Sequence, residues 1–141
     1  MNANILYDYG SKPFVTNLRQ DAAANRNFRT ALWTGQHLQL TLMCIPKYSD
    51  IGLEMHPDVD QFLYIESGNG LAMMGSSRQF LPYQCPVSPQ YAIFIPAGTW
   101  HNLKNTGDCD LKLFSIYAPP QHPFSTVHET KQDSDASYDE P

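Results

Sequence analysis

The sequence predicts an all-β, single-domain barrel, and three observations carry that expectation. Hydrophobic residues make up 42% of a 141-residue chain, enough for one core and for no more than one domain. The apolar residues fall in short runs that alternate with polar ones, the pattern of half-buried strands rather than of amphipathic helices. Eleven prolines and eight glycines lie mostly between those runs, where they end strands and form turns.

Residues 1–29 read as an N-terminal arm, with apolar patches at Ile5, Leu6, Phe14 and Val15 and one helical turn from Arg19 to Asn25. The barrel is expected over residues 30–120. Its first strand is Ala31-Leu32-Trp33. The next runs from His37 to Met43, with His37, Gln39, Thr41 and Met43 on one face and Leu38, Leu40 and Leu42 on the other. Further strands are expected at 52–56, 61–66, 70–74, 91–95 and 111–117. Turn chemistry separates them at Ser67-Gly68-Asn69-Gly70, in the proline-rich stretch 82–89, at Pro96-Ala97-Gly98 and at Asn105-Thr106-Gly107-Asp108. Closing such strands into a barrel buries one face of each and leaves no free edge. Residues 121–141 form a C-terminal extension. From Lys131 it carries four acidic residues and almost no apolar ones, the composition of a mobile tail. His122 and His128, in a proline-rich exit segment, are expected at the surface.

Charge and cysteine usage narrow the function classes. Nine basic residues against fourteen acidic ones give a net charge of −5, which argues against a nucleic-acid partner or an anionic membrane surface. No apolar run approaches the roughly 18–20 residues of a membrane span. Met1-Asn2-Ala3-Asn4 has neither the basic patch nor the apolar stretch of a secretory leader. The three cysteines contain no CxxC pair, so free thiols and a cytoplasmic location are expected.

Two segments concentrate the chemistry. In the first, Glu54 and His56 lie two apart, which on a strand points both side chains to one face about 7 Å apart along the backbone. After the bend at Pro57, the alternation turns Gln61, Leu63 and Ile65 inward and Asp60 outward. Asp58 and Asp60 read as solvated turn residues. In the second segment an apolar strand, Ile93-Phe94-Ile95, ends at Pro96-Ala97-Gly98 and returns with His101 as its first strongly polar group. On the last strand, Lys112 outward places Leu111, Leu113, Ser115 and Tyr117 inward. Tyr117 thereby becomes a candidate hydrogen-bond donor to a ligand, and His37, Gln39 and Thr41 become candidate groups around it.

These segments resemble the cupin superfamily. Pro96, Gly98, His101 and Asn105 match the second cupin motif, PxGxxHxxxN, and Gln90 replaces its distant leading glycine. The first motif, HxHx(3–4)Ex(6)G, is matched in spacing. Glu54 stands in the place of the first His, His56 in that of the second, Gln61 in that of the Glu, and Gly68 closes it. Residues 37–120 are similar to small single-domain cupins of the mannose-6-phosphate-isomerase-like group. The resemblance implies a double-stranded β-helix holding one divalent transition metal (Zn, Fe, Mn or Ni), with Glu54, His56, Gln61 and His101 as ligands. Gln offers a neutral carbonyl oxygen, which a substrate or water displaces more easily than it would the other three.

Such a site implies a metal-dependent, isomerase-like enzyme acting on a small hydroxy-carbonyl compound, with sugars among the candidates and Tyr117 as a catalytic residue. Lys47, Arg78 and Lys104 are scattered, which argues for a neutral substrate over a phosphorylated one. Two alternatives remain. A non-haem iron dioxygenase fits the content of two His and one carboxylate, and a non-catalytic cupin would bind a small ligand or metal. The cavity is expected to be lined by Leu63, Ile65, Ile93, Ile95 and Leu113. The arm's apolar patches are expected to pack against a second copy in a homodimer.

Overall fold

The structure, a computed structural model, describes residues 7–138. Over these the chain forms α1 (Leu18–Ala24), β1 (Arg29–Thr34), β2 (Gln39–Ile45), β3 (Asp60–Ser67), β4 (Gly70–Gly75), β5 (Tyr83–Val87), β6 (Ala92–Ile95), β7 (Trp100–Asn105), β8 (Leu111–Ala118), β9 (Val127–His128) and α2 (Lys131–Tyr138). One sheet has the order β6-β3-β8-β2-β1-β9 and the other β5-β4-β7. The pairings within both are antiparallel. The architecture is the expected all-β barrel.

Strand alternation fixes what lies inside. In the β2–β8 register Gln39 faces Tyr117, Thr41 faces Ser115 and Met43 faces Leu113, and all six are buried. Met43, Ile45, Leu63, Ile65, Leu103, Leu111 and Leu113 belong to the core between the sheets. The opposite face of the large sheet is apolar as well, because α1 covers it. Ala22 packs there with Leu32, Leu42 and Phe114, flanked by Leu18, Leu40, Phe62 and Tyr64. This second cluster explains why Leu40 and Leu42 are apolar although they point away from the barrel interior. Asn17 caps α1 by accepting a bond from Gln20 N at 3.1 Å.

Several expectations need correction. Residues 52–56 are not a strand: the segment touches β7 through a single bridge, Glu54 to His101, and Asp50 before it bridges to Lys104. The proline-rich stretch, expected as a turn, contains β5. It tolerates Pro86 because it is the edge of its sheet. Residues 131–138, expected as a mobile tail, form α2. That helix is tied down by Lys131 bonded to Asp50 and by buried Ser134 bonded to Arg29 at 2.7 Å. His122 and His128, expected at the surface, are buried.

The described part of the arm lies against its own barrel. Buried Asp8 accepts bonds from Gly10 N, Thr34 N and Ser125 N at 2.9, 2.9 and 3.0 Å, and Trp33 Nε1 donates to Lys12 O at 2.8 Å. Phe14 stacks on Tyr9 with ring centroids 4.4 Å apart, and Val15 remains 96% exposed. Ile5 and Leu6 lie outside the described residues.

Candidate metal centre

Two backbone connections build the centre. Glu54 and His101 face each other across an antiparallel bridge and exchange both hydrogen bonds, at 3.0 and 2.9 Å. Directly opposed residues send their side chains to the same side. The carbonyl of His56 accepts Gly98 N at 2.8 Å, which joins the loop carrying His56 to the turn that precedes His101. Gly98 adopts φ +81°, a left-handed conformation that glycine enters without a steric penalty. Gln90, standing where the motif has its leading glycine, takes φ +76° with a side chain in place.

Glu54, His56 and His101 converge. One donor atom from each lies within 4.8 Å of the others. His56 Nε2 is 3.5 Å and His101 Nε2 3.8 Å from Glu54 Oε1. All three atoms are buried and none has a hydrogen-bond partner. Buried polar atoms ordinarily find partners, so three lone-pair donors orphaned around one point are what a cation would satisfy. His101 Nδ1 lies 3.0 Å from the carbonyl of Thr99. A proton held there leaves Nε2 as the lone pair facing the centre. Burial lowers the His101 pKa, against weaker opposing effects of the Thr99 carbonyl and Glu54, so the neutral ring is favoured. For Glu54, burial acts upward, but the combined interactions with His56, Arg29 and His101 hold the carboxyl below its ordinary value. One carboxylate and two imidazoles fit a divalent transition ion.

Gln61 points inward, as expected, and Asp60 outward. Gln61 Nε2 donates to Ser115 Oγ at 2.9 Å, and its Oε1 is buried without a partner. The amide is thus oriented with its carbonyl oxygen free. Asp60 is exposed and accepts Ala97 N at 2.9 Å. Tyr117 is fully buried, its ring 5.9 Å from that of His56 and its hydroxyl in interaction with Ser115 and Arg29. Burial raises its pKa, so it stays a proton donor at neutral pH.

The remaining candidates divide. Thr41 is buried opposite Ser115 with its hydroxyl unpartnered. Gln39 is buried but already committed: its amide donates to Thr34 Oγ1 and His122 O and accepts from the N–H groups of Gln121 and His122. It braces the C-terminal segment. His37 is exposed, in the turn closed by Gly35 N to Leu38 O, because β2 begins two residues later. It is not brought to the centre.

Sequence reasoning misses the wall behind Tyr117. The His122 ring stands 5.1 Å from that of Tyr117 and 6.0 Å from that of His128, and Arg29 Nη1 reaches His128 Nδ1 at 3.0 Å. Burial and the Arg29 charge push the His122 pKa down to about 3. A cavity of about 480 Å³ is lined by Ala72, Met74, Val87, Ile93, Pro96 and Thr99, among others. Of the expected lining residues, Ile93 is in this wall, and Leu63, Ile65, Ile95 and Leu113 belong to the closed core. Pro96 and Thr99 flank the turn leading to His101, and Met74 is the cross-strand partner of His101.

A two-sheet antiparallel barrel with inward Glu and His donors at these spacings defines a cupin. The family model for the cupin domain matches residues 41–117, and the chain belongs to that family. It is 58% identical over 135 residues to the uncharacterized protein YrkC of Bacillus subtilis (strain 168), covering 96% of this chain and 73% of that one. It is 35% identical over 125 residues to the uncharacterized protein L612 of Acanthamoeba polyphaga mimivirus, covering 88% and 76%. The crystal structure of BH2720 from Bacillus halodurans superposes with a TM-score of 0.91 at 58% identity, covering 92% of this chain and 98% of that one.

Proposed function

We propose that the chain is a metal-dependent, isomerase-like cupin enzyme acting on a small hydroxy-carbonyl compound. The observation that carries this reading is the convergence of Glu54, His56 and His101 as buried, unpartnered donors. Gln61 supplies a fourth donor through its free Oε1. A divalent ion held there would polarise a carbonyl oxygen. Ser115 keeps the Gln61 amide oriented, and the Thr99 carbonyl keeps the His101 ring oriented. The Tyr117 hydroxyl, protonated at neutral pH, hands a proton to an oxygen developing negative charge. The apolar wall of the cavity beside the His101 turn suits a compact substrate.

A second reading is favoured by the donor set alone. Two His and one carboxylate are also the ligands of non-haem iron oxygenases. Elemental analysis of protein purified without chelators identifies the ion among Zn, Fe, Mn and Ni. A metabolite-pool screen with each ion follows. Turnover without oxygen uptake supports the isomerase-like reading, and iron-dependent oxygen uptake replaces it with the dioxygenase. Reversible binding of an unaltered metabolite, with no turnover under any of the four ions, replaces both with a non-catalytic cupin.

The assembly belongs to the proposal too. Phe14, Val15, Leu18, Trp33, Leu38 and Leu40 line an apolar groove of about 380 Å³ beside the arm, and a homodimer would cover it. A monomeric mass by light scattering at micromolar concentration overturns this. The free thiols of Cys44, Cys85 and Cys109 accord with a reducing, cytoplasmic compartment.

A further inference from the structure

Arg29 lies outside the segment matched by the cupin domain, at the junction of arm and barrel. It is 1% exposed. In the β1–β2 register it faces Met43, and Ala31 faces Thr41, so its side chain enters the barrel on the face that carries Thr41, Met43 and Ser115. Among the described residues it is the only buried Lys or Arg. Lys47, Arg78 and Lys104 are exposed.

The Arg29 guanidinium is anchored from behind, with Nη1 against His128 Nδ1 at 3.0 Å and donating to Ser134 Oγ at 2.7 Å. Its charge is felt at Glu54, Tyr117 and His122. Two hydroxyls on the barrel interior, Thr41 Oγ1 and Tyr117 OH, are fully buried; Thr41 Oγ1 is unpartnered, and Tyr117 OH interacts with Ser115 and with Arg29 itself. The lone-pair and hydroxyl groups differ chemically. Glu54 Oε1, His56 Nε2, His101 Nε2 and Gln61 Oε1 offer lone pairs to a cation. The two hydroxyls can donate protons, and with Arg29 they form a donor set for an oxyanion.

We propose that the interior site takes a small substrate bearing a carboxylate, held by the Arg29 guanidinium and the Tyr117 and Thr41 hydroxyls, with Arg29 as the residue that determines this specificity. The proposal rests on the metal-centre reading and names its substrate class, a hydroxy or keto acid in place of the neutral compound expected from the sequence; it gives the Tyr117 hydroxyl the substrate's carboxylate to hold in place of a proton to transfer. A carboxylate is preferred to a phosphate because one guanidinium matches one planar carboxylate, whereas phosphate sites gather several cations or a helix N-terminus. The charges agree in sign. Arg29 and Glu54 cancel, so a divalent ion leaves an excess positive charge of two, which a monocarboxylate substrate halves.

The test is isothermal titration of the metal-loaded protein, and of the same protein after chelator treatment, with glycolate, the neutral isostere glycolamide and inorganic phosphate. Glycolate is expected to bind at least tenfold more tightly than glycolamide in both forms, and more tightly than phosphate. Arg29→Met should bring glycolate to the glycolamide level while elemental analysis still finds the ion, and Arg29→Lys should recover part of the loss. Tyr117→Phe should weaken glycolate several-fold without affecting glycolamide, which keeps the test decisive if Arg29→Met does not fold. Equal affinity for glycolate and glycolamide after chelation, undiminished glycolate binding by Arg29→Met, or tighter binding of phosphate each overturns the proposal. If the purified protein holds no metal yet binds glycolate through Arg29, the metal-centre reading falls and the carboxylate site stands.

Discussion

Glu54 and His101 are locked together by main chain before any ion is considered. Each N–H donates to the other's carbonyl, at 3.0 and 2.9 Å, and the two side chains come to 3.8 Å at Oε1 and Nε2. The bridge positions the carboxylate and one imidazole as a unit, and the Gly98 contact to the His56 carbonyl adds the second imidazole. Such preorganisation lets donors meet an ion without ordering a loop at the moment of binding.

Removing the donors should therefore remove the metal without removing the fold. His56→Ala with His101→Ala is expected to purify with no stoichiometric ion by elemental analysis. Native protein saturated at a hundredfold excess over Kd should gain about 2.7 kcal/mol, or roughly 10 °C in Tm for a domain of this size. Chelator should reverse that gain in the native protein and leave the double variant unchanged. Stoichiometric metal in the double variant would rule the assignment out.

Two glycines of the turns separate backbone strain from crowding. Gly98 has φ +81° and no atom within 4 Å of the position that an alanine methyl would take. Gly68 has φ +91°, and there the methyl would meet Asp110 O at 2.7 Å and Leu111 Cα at 2.9 Å. Gly98→Ala thus incurs only the left-handed penalty, about 1 kcal/mol, and Gly68→Ala adds displacement of β8 backbone, for roughly 3 kcal/mol or more. Urea unfolding of both variants measures the difference. Equal losses would refute the crowding argument.

The parts of the site that are legible in the sequence share a feature: they sit where turn chemistry or alternation leaves few choices. Pro96 and Gly98 mark the turn that delivers His101, and Lys112 outward forces Tyr117 inward. Strand alternation puts Glu54 and His56 on one side, although the structure replaces that strand with a single bridge. What escapes depends on distant partners. Arg29 reads as an arm residue until β1 pairs with β2. His122 and His128 look solvated beside their prolines until Gln39 and Arg29 bind the segment. The composition of α2 predicts a free tail, and it is Ser134 and Lys131, through Arg29 and Asp50, that bond it to the barrel. His37 fails for a local reason, since β2 starts at Gln39.

Asn105, the last letter of the second motif, acts structurally. Its Nδ2 donates to Ile45 O at 3.0 Å and Cys109 O at 2.8 Å, and its Oδ1 accepts Gly107 N at 2.9 Å. The amide thus ties the β7–β8 turn to the end of β2. Asn105→Ala leaves those main-chain groups without partners and should cost roughly 2–4 kcal/mol by urea unfolding. Asn105→Asp should cost at least as much, because a carboxylate faces two carbonyl oxygens. A loss below about 1 kcal/mol in both variants, the net value of one hydrogen bond, would contradict this role.

The buried histidines behind Tyr117 give the protein an acid dependence with a definite sign. Burial, then the Arg29 charge, pushes His122 from an ordinary value of 6.5 to about 3, and the same two causes lower His128. A folded pKa below the unfolded one means that the unfolded chain takes up protons first as pH falls. Stability is then complete above about pH 6.5 and declines toward pH 3, at up to about 1.4 kcal/mol per pH unit for each histidine held neutral. Glu54 has the same sign in a more acid window: its carboxyl is lowered from 4.5, so its contribution is intact above that value and lost only in stronger acid. Comparison between pH 7 and 4.5 therefore isolates the imidazoles. His101 contributes with the same sign as His122, so the informative quantity is the difference between variants. In chelator-treated protein, His122→Gln should gain on the native chain by about 2–3 kcal/mol between pH 7 and 4.5 in urea unfolding. Parallel stability curves for the two proteins would mean that His122 is not held neutral by its burial, and the account of this wall would have to be abandoned.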